Sequence, residues 1–159
     1  ERLSPWIIPT RIQMGLKPHL NQVSIYGSLR PGASNFSLVA SYVRELHRAY
    51  IQGALYHLPV GYPTVIYGTG GKVQGELLRL EPLTEALALL DAYEVFSGSG
   101  ASGNEYERIR GLARRETGQT YAADMYVCPP AEINGCKAAG ILIPDGDWKT
   151  FCQQKALRR

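Results

Sequence analysis

Glu94 is a carboxylate in an unfavourable place. If the stretch from about residue 82 to 93 is a helix, Leu83, Leu87 and Leu90 make one apolar stripe with Ala86 at its edge. At about 100° per residue, Glu94 falls about 20° from Leu83, inside that stripe, while Glu85, Ala88 and Ala92 take the opposite face. A glutamate on a core-facing stripe is costly unless it is paired, protonated or pointed into a polar cavity. Burial raises a carboxyl pKa and brings it towards the range useful for proton transfer. The other reading is that the helix stops at Tyr93 and Glu94 turns to solvent. The helical wheel alone does not choose between them.

The second chemical feature is a turn. Tyr26-Gly27-Ser28-Leu29 follows the apolar Val23-Ser24-Ile25, so two small residues sit directly after a strand. Bare backbone N–H groups there could face a ligand anion, or the turn could be an ordinary exit from a strand. Other chemistries lack their residues. Gly68-Thr69-Gly70-Gly71-Lys72-Val73 imitates a phosphate loop, but Ile66 stands where the first glycine belongs and Val73 replaces the magnesium-binding Ser or Thr. No G-x-S-x-G elbow is present. Cys128, Cys136 and Cys152 are odd in number and make no C-x-x-C pair, which indicates neither a disulfide framework nor a zinc site. Cys128, ahead of Pro129-Pro130 at a strand end, reads as structural. His19, His47 and His57 are too scattered to propose a metal site.

The elements that must position these residues are mostly short. Strands are expected over 23–27, 50–57, 62–67, 73–80, 105–115 and 119–127, separated by glycine- and proline-bearing turns. Phe36, Val39, Ala40, Val43 and Leu46 recur at helical spacing behind a possible cap at Ser34 or Asn35, which predicts a helix over 35–48. A second helix is expected from about Pro82 to 93, and the run 97–104 of Gly, Ser, Ala and Asn reads as a loop. No internal repeat or interdomain linker is visible.

Composition bounds the rest. The 159 residues suit one domain, and 45% hydrophobic with 19% charged residues argues against disorder and coiled coil. Seventeen glycines, ten prolines and ten tyrosines suggest a turn-rich, β-rich fold around a polar pocket. No apolar run approaches the ~18–20 residues of a membrane span. Within Glu1–Leu20 the only apolar core is Trp6-Ile7-Ile8, short for a signal-peptide segment. The net charge of +3 carries no dense basic block, and the ending Lys155-Ala156-Leu157-Arg158-Arg159 reads as a solvated tail. A cytoplasmic protein with no nucleic-acid or membrane partner is expected; oligomeric state stays open.

In order along the chain, these segments resemble the γ-glutamylcyclotransferase family, including its AIG2-like members. Ile25-Tyr26-Gly27-Ser28-Leu29-Arg30-Pro31-Gly32 with Asn35 resembles the family's Tyr-Gly-Ser/Thr-Leu loop and its downstream Asn. Val73-Gln74-Gly75-Glu76-Leu77 is similar to its central V-x-G-E-L/I strand, and Leu90-Asp91-Ala92-Tyr93-Glu94 with Tyr106-Glu107-Arg108 to its L-D-x-Y/F-E … Y-x-R signature. Tyr121 to Val127 resembles the aromatic strand that follows, and Gly146-Asp147-Trp148 a late G-D-W segment.

The resemblance implies a mixed α/β (α+β) fold, a small twisted β-barrel flanked by two main helices, in one domain over 23–152. Residues 1–22 would be an extension and 153–159 a basic tail. It also implies a cofactor-free enzyme that cyclises a γ-glutamyl group to 5-oxoproline and releases an amine or peptide. Glu94 would be the general acid/base. Tyr26 and the N–H groups of Gly27, Ser28 and Leu29 would hold the glutamyl part, and Tyr106 and Tyr126 would line the pocket and donate hydrogen bonds. Two features depart from the pattern: Val95 stands where many members have Gly, and the Gly/Ser insert puts Tyr106 twelve residues after Glu94. The insert is expected to border the leaving-group side of the pocket. A binding module for a glutamyl-like small molecule, without turnover, is the alternative.

Overall fold

The computed structural model describes residues 21–68 and 70–157, so expectations for residues 1–20 and 158–159 lie outside the described residues. Seven strands form one sheet: β1 (Gln22–Ile25), β2 (Val43–His57), β3 (Pro63–Tyr67), β4 (Gly71–Leu80), β5 (Glu107–Arg115), β6 (Thr120–Val127) and β7 (Ile141–Leu142). Three helices accompany them: α1 (Leu83–Glu94), α2 (Ile133–Ala139) and α3 (Trp148–Leu157).

The sheet runs β2-β4-β1-β6-β5, and β5 pairs back onto β2 through Ala49↔Arg115 and Tyr50↔Arg114, closing a five-stranded barrel. The β1–β6 pair is parallel and the other pairs are antiparallel. The far half of β2 also carries β3 and β7. Closure leaves the five barrel strands without a free edge. The mixed α/β barrel expected from the sequence is the fold observed.

Strand β2 shows why it forms. From Ala49 onward every second residue is buried, including Ile51, Leu55 and His57, the period of a pleated strand with one face on a core. Its first part occupies the chain that helical spacing assigns to a helix over 35–48. That helix is absent. The chain makes two single 3₁₀ turns, Phe36–Leu38 and Ala40–Tyr42, and is extended from Val43 on. A ladder with β4, running from Val43↔Leu80 to Gly53↔Gly71, outweighs the local periodicity, and Leu46 ends up exposed. Helices α2 and α3 had no expected counterpart. Residues 153–157 continue α3 and are not a separate tail.

Two apolar clusters result. One fills the barrel with residues such as Ile51, Leu55, Val73, Leu77 and Met125, against which Trp148 and Phe151 of α3 pack. The other joins Val23 and Ile25 of β1 and Leu78 and Leu80 of β4 to Ala86 and Leu90 of α1. Gly75 permits the close β1–β4 contact, since a Cβ there would lie 1.8 Å from the Ile25 carbonyl oxygen. Helix α1 is thereby fixed across β1, with its C-terminal end beside the loop that leaves that strand. No helix among the described residues is long and apolar enough to cross a membrane.

Candidate functional site

The loop after β1 is anchored by a buried ion network. Arg30, 4% exposed, donates from Nε and Nη2 to the two carboxylate oxygens of Glu76 at 2.8 and 3.0 Å, and from Nη1 to Asp147 Oδ1 at 3.0 Å. Burial alone would depress the guanidinium, but Glu76 and then Asp147 outweigh it and hold its pKa above the ordinary value. The planar guanidinium fork thus ties the Tyr-Gly-Ser-Leu turn to β4 and to the segment entering α3. Lys149 adds a bond from Nζ to the Pro31 carbonyl at 2.7 Å.

Beside this loop lies a cavity of about 130 Å³. Glu94, Tyr26, Gly27, Ser28, Leu29, Tyr106 and Tyr126 all line it, so the structure brings every expected site residue together. Tyr62, Pro63, Tyr93 and Glu105 join them in the wall. Gly27 lies so close to Pro63 that a Cβ would meet its Cγ at 2.9 Å. The N–H groups of Gly27, Ser28 and Leu29 have no acceptor among the described residues, whereas Arg30 N–H is taken by the Gly27 carbonyl. Unpaired amides in a cavity wall are donors kept for a ligand or water.

The tyrosines mostly spend their protons within the protein. Tyr26 donates to the Tyr126 carbonyl, Tyr106 to the Pro63 carbonyl and Tyr126 to Asp91 Oδ1, each at 2.7 Å. Tyr106 and Tyr126 are therefore wall and scaffold here, and the expected donation from them to a ligand does not fit these bonds. Tyr93 differs: its hydroxyl accepts from Asn35 Nδ2 at 2.8 Å and lies 2.8 Å from Ser28 Oγ. With Tyr93 donating to Ser28, the Ser28 proton is left for the cavity.

Glu94 is the last residue of α1, so the helix does not stop at Tyr93. Its carboxylate makes no hydrogen bond or ion pair with another described residue. Burial first, and then the charge of Glu105, push its pKa up to about 7. The end of α1 is clamped by Asp91, which takes Tyr126 Oη–H on Oδ1 and Arg108 Nη1 on Oδ2 at 2.6 Å. The chain then turns through Val95 in the left-handed region, φ 55° and ψ 56°, with Phe96 N–H on the Asp91 carbonyl at 2.9 Å. This is the helix-ending geometry that favours glycine, adopted here by a β-branched residue.

The 97–104 insert is a clasped loop. Asn104 accepts from Ser97 N–H at 2.9 Å and donates to the Gly98 carbonyl at 2.8 Å, while buried Glu107 accepts from Gly100 N–H at 2.8 Å. Glu105 N–H returns to the Val95 carbonyl at 3.0 Å. The expectation that the insert borders the pocket needs amending, because residues 97–104 do not line the cavity. The loop closes on itself, so Tyr106 lies in the wall despite its distance in sequence, and Glu105 lies beside Glu94.

Sequence reasoning missed the roles of Arg30, Asp91, Tyr93 and Glu105. Glu76 carried a usable signal: an acidic residue inside the apolar run from Val73 to Leu78 needs a buried cation. No group of three or more His, Cys, Asp or Glu among the described residues is arranged to hold a metal ion.

The model of the family described as gamma-glutamyl cyclotransferase, AIG2-like, matches residues 23–150. A protein of Halalkalibacterium halodurans, provisionally named a gamma-glutamylcyclotransferase, is 34% identical over 109 residues, covering 68% of this chain and 88% of its own. Among solved structures, YkqA from Bacillus subtilis superposes with a TM-score of 0.62 at 22% identity over 87% of this chain. The match spans only 43% of YkqA. An uncharacterized protein from Pyrococcus horikoshii gives a TM-score of 0.57 at 17% identity, covering 85% of this chain and 95% of its own. These two likenesses concern the fold.

Proposed function

The chain belongs to the gamma-glutamyl cyclotransferase, AIG2-like family, and we propose that it cyclises the γ-glutamyl group of a small γ-glutamyl amine or peptide to 5-oxoproline. The observation that carries this reading is Glu94: a carboxyl with no partner, in a cavity wall, with its pKa near 7.

The substrate brings its own nucleophile, its α-amine, and the ring formed has five members. Holding amine and γ-carbonyl in register supplies an effective molarity that reaches roughly 10⁵–10⁸ M in well-oriented cases. The enzyme need supply only proton traffic and a place for developing charge. Ionised Glu94 takes a proton from the substrate ammonium. The freed amine attacks the γ-carbonyl carbon, and negative charge gathers on the carbonyl oxygen. The N–H groups of Gly27, Ser28 and Leu29, held in place through Arg30, are donors suited to that charge or to the glutamyl carboxylate. Protonated Glu94 then returns its proton to the leaving nitrogen, and the amide C–N bond breaks. The ring nitrogen gives up its one excess proton, which leaves on the released amine, so that 5-oxoproline and an ammonium product depart and Glu94 is again ionised. One carboxyl near neutrality serves both steps, with a contribution of about 10²–10⁴-fold.

The test is 5-oxoproline release from a panel of γ-glutamyl amines and dipeptides. Glu94→Gln keeps the shape of the side chain and removes the proton transfer, so its kcat is expected to fall by about 10²–10⁴-fold. Undiminished turnover in that variant would refute the mechanism. Saturable binding across the panel with no product would mean that the cavity binds without catalysis.

A further inference from the structure

Two cysteines meet outside the cavity. Cys128 directly follows β6, is buried, and donates its backbone N–H to the Val65 carbonyl at 2.8 Å. Pro129 and Pro130 turn the chain into α2, which carries the half-buried Cys136. The two Sγ atoms are 3.2 Å apart, and Cys128 Sγ lies 3.5 Å from the Pro129 carbonyl oxygen. The two thiols share an S–H···S contact in which either can be the donor, and the Pro129 carbonyl is a second acceptor within reach of the Cys128 thiol. Both cysteines are reduced, yet an S–S bond of about 2.05 Å requires the sulfurs to approach by only about 1 Å more. Neither residue lines the cavity.

We propose that Cys128 and Cys136 form a dithiol site that reacts with small disulfides of the glutathione type and closes to an intramolecular disulfide. The more accessible Cys136 acts first. Its thiolate attacks one sulfur of glutathione disulfide, the S–S bond of that molecule breaks, and one glutathione leaves with a proton as thiol. Cys128 then loses its proton and attacks Cys136 Sγ, breaking the mixed disulfide and releasing the second glutathione. Two protein thiols and one glutathione disulfide become one protein disulfide and two glutathione thiols.

The division of labour follows from burial. Desolvation, and then the hydrogen bond with Cys136, push the Cys128 thiol up to about 12, so it is a poor first nucleophile. As the second, it is already in contact with its target, and proximity offsets low thiolate content. The new bond would join α2 to the end of β6, beside Thr64 and Val65 of β3. Cys152, half-buried on α3, is a third thiol within the same chain and a built-in control.

The experiment equilibrates the folded full chain with glutathione disulfide, blocks remaining thiols with an alkylating reagent and maps the tryptic peptides. Residues 116–137 contain no internal Lys or Arg, so both cysteines fall on one peptide. The expected result is a fall from three alkylatable thiols to one, with that peptide two hydrogens lighter and unalkylated. Cys136→Ser should abolish closure, and Cys152→Ser should leave it unchanged. A stable glutathione adduct on Cys136, a link through Cys152, or three thiols still open to alkylation would each overturn the proposal. The wild-type map carries the test even if Cys136→Ser folds poorly.

Discussion

Replacing Glu94 by Gln should make the protein more stable, increasingly so as pH rises. The carboxyl ionises near pH 7 in the folded chain against an ordinary value of 4.5, so folding disfavours its charged form. Between those two values the folded state holds more proton than the unfolded state, and stability falls as pH rises. Below about 4.5 both states are protonated and the cost vanishes; above about 7 it is complete. A gap of about 2.5 units at about 1.4 kcal/mol each gives a limiting cost of about 3 kcal/mol. The cost is about 1 kcal/mol at pH 5 and about 3 kcal/mol at pH 8. Gln cannot ionise and escapes it. Urea unfolding of wild type and variant across this range isolates the effect, since the other titrating groups are common to both chains. At an m-value of about 1–3 kcal/mol per molar, the variant's midpoint should exceed that of wild type by roughly 1 M or more at pH 8. Most of that difference should be gone at pH 5. A stability difference that does not change with pH would refute the account of Glu94 as a carboxyl kept near neutrality by burial. Greater stability coupled to lost turnover is the trade expected of a strained functional group.

Glu105→Gln removes the negative neighbour of Glu94, so the acid limb of kcat/KM should move to lower pH; a profile unchanged on that side would deny the coupling. Arg30→Met strands the Glu76 carboxylate in the core and should cost about 3–5 kcal/mol in chemical denaturation. Adding Glu76→Leu should recover much of that loss, and a double variant as unstable as the single one would contradict the pairing argument. Val95→Gly relieves a β-branched residue in the left-handed region and should raise stability by about 1 kcal/mol, read as a higher unfolding midpoint, because Val95 is 44% exposed and gives up little packing.

Legibility in the sequence followed the range of the interactions. Strands β3, β4, β5 and β6 and helix α1 were readable because alternation, turn residues and helical spacing are local signals. The 35–48 stretch misled for the same reason: Phe36, Val39, Val43 and Leu46 satisfy a helical period, but Val43 and Leu46 pair with β4, which lies some thirty residues on. Helices α2 and α3 left weak signals; in α3, Trp148 and Phe151 find their apolar partners inside the barrel. Glu94 on its apolar stripe and the small residues after β1 were visible as candidates with ordinary structural readings still open, while Tyr106 and Tyr126 entered through the family resemblance. The insert was misjudged in a specific way. It was expected to border the pocket, whereas Asn104 and Glu107 close it on itself, and it is the residues after it, Glu105 and Tyr106, that line the cavity.

By itself, the sequence determined which residue types were candidates for chemistry: a glutamate in register with an apolar helical stripe, a Gly-Ser turn after a strand, and a composition rich in tyrosine and glycine. These are consequences of local period and composition. Only the tertiary structure decided that Glu94 faces a cavity rather than solvent, and that Glu105 stands beside it. Tertiary structure also engages the hydroxyls of Tyr106 and Tyr126 with Pro63 and Asp91, and leaves the N–H groups of Gly27, Ser28 and Leu29 in the cavity wall without an acceptor among the described residues. The physical reason is that a carboxyl's pKa and a hydroxyl's direction depend on the atoms packed around them, and barrel closure brings those atoms from strands distant in the chain.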